Sequence, residues 1–310
     1  MEERSASTRV VLVALSGNLA IALTKFAAFA FTRSTAMLTE GVHSLVDTGD
    51  QLLLLVGQAR SSRPADDTHP FGYGLETYFW SFVVALMIFL AGGAVSVWEG
   101  AHKLARPAAI ERPWINLMVL GVSALFEGLS FRTAYREYRD VVRGRRVRLW
   151  RFIRLSKDPS LFATLLEDGA ALAGLALAAL GTVAAAWLGA PWADGLASIA
   201  IGLLLVAVAV VLGNETRSLI AGEAAAPPIV EAARAAALAS PELASLDALT
   251  SLHLGPRSIL IAVSARLRPG LSAAEAGAVQ AAMADRIRGA DERIFQVLFR
   301  PPDPAAPNAG

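Results

Sequence analysis

Six apolar segments, each about 20 residues long or longer, limit what this chain can fold into. A helix of that length spans the hydrocarbon core of a bilayer. The 55% share of hydrophobic residues exceeds the roughly 45–50% of soluble domains, and the excess lies in residues 10–213. The chain is therefore predicted to be an integral membrane protein. The predicted spans are Val10–Phe31, Ala36–Ala59, Tyr78–Trp98, Trp114–Ala134, Leu161–Leu188 and Trp192–Gly213.

The distribution of basic residues predicts the orientation of these spans. Ten lysines and arginines lie between Arg132 and Lys157, around the connection of the fourth span to the fifth, whereas the connection 189–191 has none. Because Lys-rich and Arg-rich connections stay in the cytoplasm, both termini are predicted to be cytoplasmic, and the bacterial inner membrane is the expected location. Membrane helices flank the basic run and anionic lipid is a sufficient partner for it, so no nucleic-acid role is predicted.

The chain after residue 213 has a different pattern. Its predicted elements are a helix, two strands, a second helix and a third strand, at Ile229–Leu238, Leu246–Leu254, Ser258–Leu267, Ala273–Arg288 and Ile294–Phe299. The predicted fold class is an all-α six-helix transmembrane domain, residues 1–213, followed by a small α+β cytoplasmic domain of order αββαβ, residues 214–302. Residues 303–310 are predicted to be a disordered tail.

Ionisable residues inside two predicted spans indicate a functional site. A charged side chain at the bilayer centre costs roughly 2.5–3.5 kcal/mol on insertion scales, so it needs a reason to be there. At about 100° per residue, the polar residues of the second span share one arc of about 80°; they are Glu40, His43, Asp47 and Asp50. The fifth span offers Thr164, Glu167 and Asp168. Since the chain has no cysteine, histidine and carboxylate are its available donors, and this set suits zinc first.

The same residues have a second interpretation as polar contacts that hold helices together. Nearby small residues would allow close helix packing; they are Gly41, Gly49, Gly169 and Gly174. The pair His43 and Asp47, at positions i and i+4 and opposite a second acidic helix, favours metal binding over that interpretation. Lys25 in the first span is predicted to neutralise a buried carboxylate, either Asp50 or Glu127.

Three motifs resemble the cation diffusion facilitator, or cation efflux, family. They are Leu38–Asp50 with its HSLVD core, Arg63–Gly74 with the sequence RPADDTHPFGYG, and Ala193–Leu205. The run Leu166–Gly174 resembles the branch that includes the mitochondrial member of the animal zinc-transporter series. The resemblance implies a homodimer with ferredoxin-like cytoplasmic tails, which exchanges cytoplasmic Zn²⁺ for protons by alternating access.

The resemblance also implies a transport site with two residues on the second span and two on the fifth. The matching positions are His43, Asp47, Thr164 and Asp168. Because threonine replaces the family's usual histidine, Glu167 or water is expected to complete the ligand shell. Mn²⁺, Fe²⁺ and Co²⁺ therefore stand beside Zn²⁺ as alternative cargo. No resident cofactor is expected.

A second candidate metal site lies in the loop after the second span, where some family members use one Asp and two His. Asp66 and His69 match that set, whereas Tyr73 stands at the second histidine position. A non-transporting membrane regulator with a decayed metal site is the alternative function, favoured by Thr164 and Tyr73. No enzymatic activity is predicted, because the chain lacks an H-E-x-x-H motif and a second histidine-bearing helix at the site.

Overall fold

The computed structural model describes residues 2–32, 35–107, 112–142 and 148–301, with the side chains at 2–7, 32, 35–40, 42, 43 and 155 excepted. The predicted disordered tail, 303–310, lies outside the described residues. The chain divides into two compact units. The first comprises Met1–Ala59 and Thr77–Arg217, and the second comprises Arg60–Glu76 and Ser218–Gly310.

α-Helices make up the first unit. All six predicted spans fall on these helices, to within one residue at Leu188. Helix α6, in the basic connection, has no counterpart among the predicted elements, and α8 runs past the predicted domain boundary at residue 213. The helices are α1 Glu2–Thr32, α2 Thr35–Ser61, α3 Glu76–Met87, α4 Val95–Ala105, α5 Pro113–Val141, α6 Leu149–Leu155, α7 Pro159–Trp187 and α8 Trp192–Gly222.

A π-helical turn, Ile88–Ala94, joins α3 and α4 into one continuous helix. Next to this turn the helix backbone meets the backbone of α8. A Cβ atom added to Gly93 would lie 3.3 Å from the carbonyl oxygen of Gly202, and one added to Gly100 would lie 2.7 Å from that of Gly195. Larger residues at these positions would separate the two helices, as expected for small residues at membrane helix interfaces.

Five helices of the described part are long and apolar enough to cross a membrane. They carry the first and the third to sixth predicted spans. Large apolar side chains on them face outwards, and Leu23, Leu125, Leu180 and Leu203 are each more than half exposed. Lipid is the environment that suits such a surface, so the chain is an integral membrane protein.

Helix α2 has 27 residues but does not belong to this apolar group, because its polar residues lower its mean hydropathy. Its burial is the reverse of that of a soluble surface helix. Asp50 and Gln51 are 1% and 0% exposed, whereas Leu45 and Leu52 are about half exposed. This pattern supports α2 as a further membrane span, the second in the predicted order. That assignment stays a prediction.

The second unit contains a three-stranded sheet with two helices. The order of elements is the predicted αββαβ: α9 Pro227–Leu238, β1 Leu243–Gly255, β2 Ser258–Leu267, α10 Ala273–Ala290 and β3 Ile294–Arg300. Strand β2 is central, antiparallel to β1 and parallel to β3. The ferredoxin-like classification of this unit stays a prediction.

Burial in this unit follows the sequence pattern. The alternating residues Ile259, Ile261 and Val263 of β2 are fully buried. Helix α10 begins with a capping box, in which the backbone N–H of Glu275 donates to the Ser272 hydroxyl and the backbone N–H of Ser272 donates to the Glu275 carboxylate. Local sequence therefore determines this core and this helix start.

The loop after α2 packs on the β1–β2 turn within the second unit. A Cβ added to Gly74 would collide with the carbonyl group of Leu254, and one added to Gly255 would lie 2.9 Å from the Cα of Gly74. Two stretches of backbone therefore touch directly, and glycine at both positions makes that approach possible.

Candidate metal site

Helices α2 and α7 bring three carboxylates of the first unit together. Asp47 and Asp50 come from α2 and Glu167 comes from α7, and one oxygen of each lies within 4.8 Å of the other two. Three acidic oxygens this close repel one another unless a cation or protons neutralise them. The cluster could therefore hold a metal ion. Of its three members, Asp47 and Glu167 belong to the predicted site, whereas Asp50 does not.

Two members of the cluster are buried, the third, Asp47, is half-buried, and the hydrogen bonding of the cluster is incomplete. Asp50 and Glu167 are 1% and 8% exposed. The amide Nε2 of Gln51 donates to Glu167 Oε2 at 2.7 Å. Within the described residues, Asp50 Oδ1, Glu167 Oε1 and Gln51 Oε1 have no hydrogen-bond partner. An unsatisfied buried polar group costs about 1–3 kcal/mol, and a charged one more, so a ligand at these atoms would recover that free energy.

Asp168 lies on a different side of α7 from the three-carboxylate cluster. Its Oδ2 accepts a hydrogen bond from the Ser130 hydroxyl of α5 at 2.6 Å, and its side chain is 1% exposed. Asp168 shares a cavity of about 530 Å³ with Asp47 and Glu167. The structure thus brings three predicted ligands to one cavity, although adjacent positions on α7 point in different directions.

Thr164 is buried, and its hydroxyl donates to the carbonyl oxygen of Ser160 at 3.0 Å. It is not among the described residues that line the large cavity. The structure therefore does not place Thr164 beside the cluster, and its ligand role stays a prediction. The side chain of His43 lies outside the described residues, so its role also stays a prediction.

Basic residues line the same cavity. Lys25 of α1 is 5% exposed, and its Nζ donates to the Ser44 hydroxyl at 2.9 Å. Glu127, one of its two predicted partners, also lines this cavity. Lys103 forms ion pairs with Glu99 and Asp194, both at 3.1 Å. The cavity thus has positive as well as negative walls.

The loop candidate, in the second unit, is organised differently. Asp66 Oδ1 accepts from the Thr68 hydroxyl at 2.7 Å and from the His69 backbone N–H at 2.8 Å, and Asp66 Oδ2 accepts from the Tyr73 hydroxyl at 2.6 Å. These bonds, from Tyr73 and then Thr68, hold the pKa of Asp66 well below its usual range. The rings of His69 and Tyr73 lie with their centroids 4.0 Å apart. Protein donors therefore already surround this carboxylate.

Sequence reasoning missed two residues of the buried cluster as ligand candidates. Asp50 belongs to the polar arc of the second span, but the i, i+4 pair in that arc is His43 and Asp47, and these two are the predicted ligands. Gln51 carries no charge, so a search for ionisable residues does not find it. Its position, one turn after Asp47 and next to Asp50, was the available signal.

Known proteins resemble this chain in the region that contains the candidate metal site. The sequence matches the cation efflux transmembrane domain over residues 11–221, a range that contains the whole buried cluster. Metal tolerance protein C4 of Arabidopsis thaliana is 34% identical over 218 residues, which make up 70% of this chain and 48% of that protein. The mitochondrial proton-coupled zinc antiporter SLC30A9 of Homo sapiens is 32% identical over 223 residues, 72% of this chain and 39% of that protein.

A bacterial relative is more distant. The cation-efflux pump FieF of Klebsiella pneumoniae is 28% identical over 211 residues, 67% of this chain and 64% of the pump. The chain spans less than half the length of the plant and human relatives. The predicted resemblance to the branch of the mitochondrial zinc transporter is confirmed by the 32% identity. Since the domain match covers more than half of the chain, this protein belongs to the cation efflux family.

Proposed function

We propose that this chain is a secondary transporter that exports a divalent transition-metal cation, zinc first, from the cytoplasm in exchange for protons. Three acids that line one cavity of the membrane unit, Asp47, Glu167 and Asp168, carry the proposal. Glu167 and Asp168 are buried, Asp47 is half-buried, and Glu167 has a buried oxygen without a described partner. Intramembrane acids of this kind mark ion pathways.

The large cavity supplies a route to and from these acids. It has a volume of about 530 Å³ and is lined by Asp47, Glu167 and Asp168 together with apolar residues. A hydrated metal ion fits in such a space, and the carboxylates can replace its water molecules. Alternating access would open this cavity to one side of the membrane at a time.

Proton exchange follows from the chemistry of the ligands. Carboxylates bind a metal in their ionised form, so metal binding releases protons and metal release takes them up. A relative bears the name proton-coupled zinc antiporter, which supports the same coupling here. A proton gradient directed into the cytoplasm would then drive metal outwards.

Zinc stands first because a histidine with carboxylates suits it, and because two relatives are named for zinc or for metal tolerance. The described part of the cluster offers oxygen alone, which also suits Mn²⁺. Fe²⁺ and Co²⁺ complete the alternatives. The position of Thr164, with its hydroxyl on the Ser160 carbonyl, adds no nitrogen donor.

A non-transporting membrane regulator is the second candidate function. The substitutions at Thr164 and Tyr73 favour it, because each removes an imidazole that family members use. Against it stand the buried acids, which a decayed site would have no reason to keep unpaired in a membrane. We propose no enzymatic activity.

The assembly and location belong to the same proposal. We propose a homodimer in the bacterial inner membrane with both termini in the cytoplasm, based on the family resemblance and on the basic connection between α5 and α7. The relatives' names include a mitochondrial protein as well as a bacterial pump. Membrane fractionation and cysteine labelling at the termini of this cysteine-free chain would test the location and orientation.

Flux measurements test the transport proposal. The purified chain in proteoliposomes should accumulate Zn²⁺ when a pH gradient is imposed, and dissipating that gradient should stop accumulation. Zinc flux that does not change with the pH gradient would contradict proton exchange and would indicate facilitated diffusion down the zinc gradient. Absence of flux for all four metals, with intact metal binding, would favour the regulator.

A further inference from the structure

Asp50 lies outside the ligand set that the family resemblance implies, yet it belongs to the tightest acidic cluster of the described residues. It lines a small cavity of about 20 Å³ together with Asp47 and Glu167. A space of that size holds about one water molecule or one ion. Asp47 and Glu167 line this cavity as well as the larger one, so the two cavities adjoin.

Two buried oxygens at this small cavity lack partners among the described residues. They are Asp50 Oδ1 and Glu167 Oε1, on side chains that are 1% and 8% exposed. Gln51 fixes the other oxygen of Glu167 through its Nε2, at 2.7 Å. The Oε1 of Gln51 is buried as well and has no described partner. The carboxylates of Asp47, Asp50 and Glu167 thus lie close together, and two of their buried oxygens lack the hydrogen-bond donors that would complete them.

The far wall of the small cavity is the π-helical turn. Ile88 and Gly92, both inside that turn, line the cavity opposite the carboxylates. π-Helical turns occur within α-helices, frequently at functional sites. The rest of the cavity wall is apolar and is formed by Val46, Met87, Leu205 and Val208. The three acids are therefore the charged groups of a small and largely apolar chamber.

We propose that Asp47, Asp50 and Glu167 form a second cation position that takes a hard divalent ion, with Mn²⁺ as its best transition-metal occupant, and that Gln51 holds the Glu167 carboxylate in place. All of its donors are oxygens, which suit Mn²⁺ better than Zn²⁺. The proposal rests on the transport function only in that the ion arrives through the transport cavity. The first position is the implied site at His43, Asp47, Thr164 and Asp168, which Glu167 completes.

The two positions exclude each other. They share Asp47 and Glu167, so one ion occupies one position or the other. Asp50 and Gln51 lie one helical turn after Asp47, towards the C-terminal end of α2. In the predicted orientation that end faces the cytoplasm. The second position is therefore a station on the cytoplasmic side of the first, which a cargo ion occupies before it moves on.

Metal binding to the full-length protein in lipid nanodiscs tests the proposal. Asp66→Ala and Asp67→Ala are introduced into every protein, so that the exposed loop cannot contribute either carboxylate. Bound Mn²⁺ is counted by electron paramagnetic resonance, and Zn²⁺ affinity is measured by calorimetry. Asp50→Asn should weaken Mn²⁺ binding at least about tenfold and change Zn²⁺ affinity less than about threefold. Asp168→Asn should weaken Zn²⁺ binding at least about tenfold and change Mn²⁺ affinity less than about threefold. Asp140→Asn, an exposed control on α5, should change the affinity for neither ion.

Two results would overturn the second position. One is Mn²⁺ binding by Asp50→Asn that equals that of the parent protein. The other is an equal loss of Mn²⁺ and Zn²⁺ binding, which would make Asp50 part of a single site. A measurement on the parent protein needs no further variant: Zn²⁺ should displace all bound Mn²⁺, and simultaneous binding of both ions would disprove the mutual exclusion. Loss of zinc flux with these binding results intact would refute the transport function alone.

Discussion

The buried acids of α2 and α7 and the exposed Asp66 of the loop are both candidates for metal binding, but their surroundings differ. Asp66 accepts hydrogen bonds on both oxygens, from Thr68, His69 and Tyr73. Asp50 and Glu167 each keep a buried oxygen without a described partner. The comparison teaches that a carboxylate with an unsatisfied buried oxygen is a stronger candidate for a cation site than one whose oxygens already accept hydrogen bonds from the protein.

One residue, Tyr73, accounts for much of the difference in hydrogen bonding between the two candidate sites. Tyr73 stands where some family members have a second histidine, and its hydroxyl donates to Asp66 Oδ2 at 2.6 Å. A metal at this loop would have to displace that bond. In the membrane unit, the amide of Gln51 satisfies one oxygen of Glu167, and no described side chain donates to the other. Four experiments test this contrast, beginning with the largest expected effect.

Removal of a buried acid should abolish transport. We expect Asp47→Ala and Asp168→Ala each to reduce zinc flux in proteoliposomes by about 100-fold or more, because each removes a charged ligand at membrane depth. Both variants should stay folded, which size-exclusion chromatography checks. Asp140→Ala, an exposed aspartate of α5, is the control and should transport normally. Normal flux in Asp47→Ala or in Asp168→Ala would exclude that residue from the transport site.

Introduction of a nitrogen donor should change selectivity by a smaller factor. Thr164→His is expected to increase the preference for Zn²⁺ over Mn²⁺ by about tenfold if residue 164 faces the ion, since imidazole suits zinc. Thr133→His is the matched control, because the Thr133 hydroxyl also donates to the carbonyl four residues earlier, at 2.9 Å, on an exposed face of α5. Equal preference in competition assays of the parent and Thr164→His would exclude Thr164 from the ligand shell.

The stability of the loop after α2 should depend on its backbone packing and not on a bound metal. Gly74→Ala places a Cβ against the carbonyl of Leu254 and should destabilise the loop contact by about 1 kcal/mol or more. Gly277→Ala, in α10 with nothing within 4 Å of the added Cβ, should be neutral or slightly stabilising. Hydrogen exchange at residues 250–260 measures both. Loss of protection after chelator treatment of the parent protein would instead indicate a loop metal.

The smallest effect is expected from Asp66→Asn, which should alter zinc flux by less than about twofold, because this carboxylate is already saturated by protein donors. The folded-state pKa of Asp66 is lowered, so its contribution to loop order is complete above the usual range of the carboxyl group and is lost only as the pH falls through the lowered value. Loop hydrogen exchange should therefore differ between the parent and Asp66→Asn at pH 7 by the same amount as at pH 5. A several-fold loss of flux would make the loop part of the transport route.

Much of the architecture follows from the sequence pattern because it depends on local rules. Apolar runs predict the positions of the long helices, although α1, α5 and α8 extend well past the predicted spans, and the alternation in β2 agrees with the burial of Ile259, Ile261 and Val263. The capping box at Ser272 and Glu275 was visible in the sequence for the same reason. The π-helical turn was not, because its residues are as apolar as those of the α-helix around it.

The candidate site was predictable in part. Helical periodicity placed Asp47 and Asp50 on one face, but it could not show which rotamer brings Glu167 to them or that Gln51 would hold its carboxylate. Those details depend on how α2 and α7 pack. The hydrogen bonding of Asp66 is partly predictable from the sequence, since an Asp side chain often accepts from the backbone N–H two residues later, here that of Thr68.

The π-helical turn at Ile88–Ala94 also matters for how related chains are aligned. Such a turn corresponds to one extra residue within an α-helix, and in an α-helix each residue adds about 100° of rotation. A relative that is α-helical throughout this span would therefore need a one-residue gap between residues 88 and 94. Without the gap, Gly100 would be aligned with a residue on a different face of the helix, and its contact with Gly195 would be assigned to the wrong position.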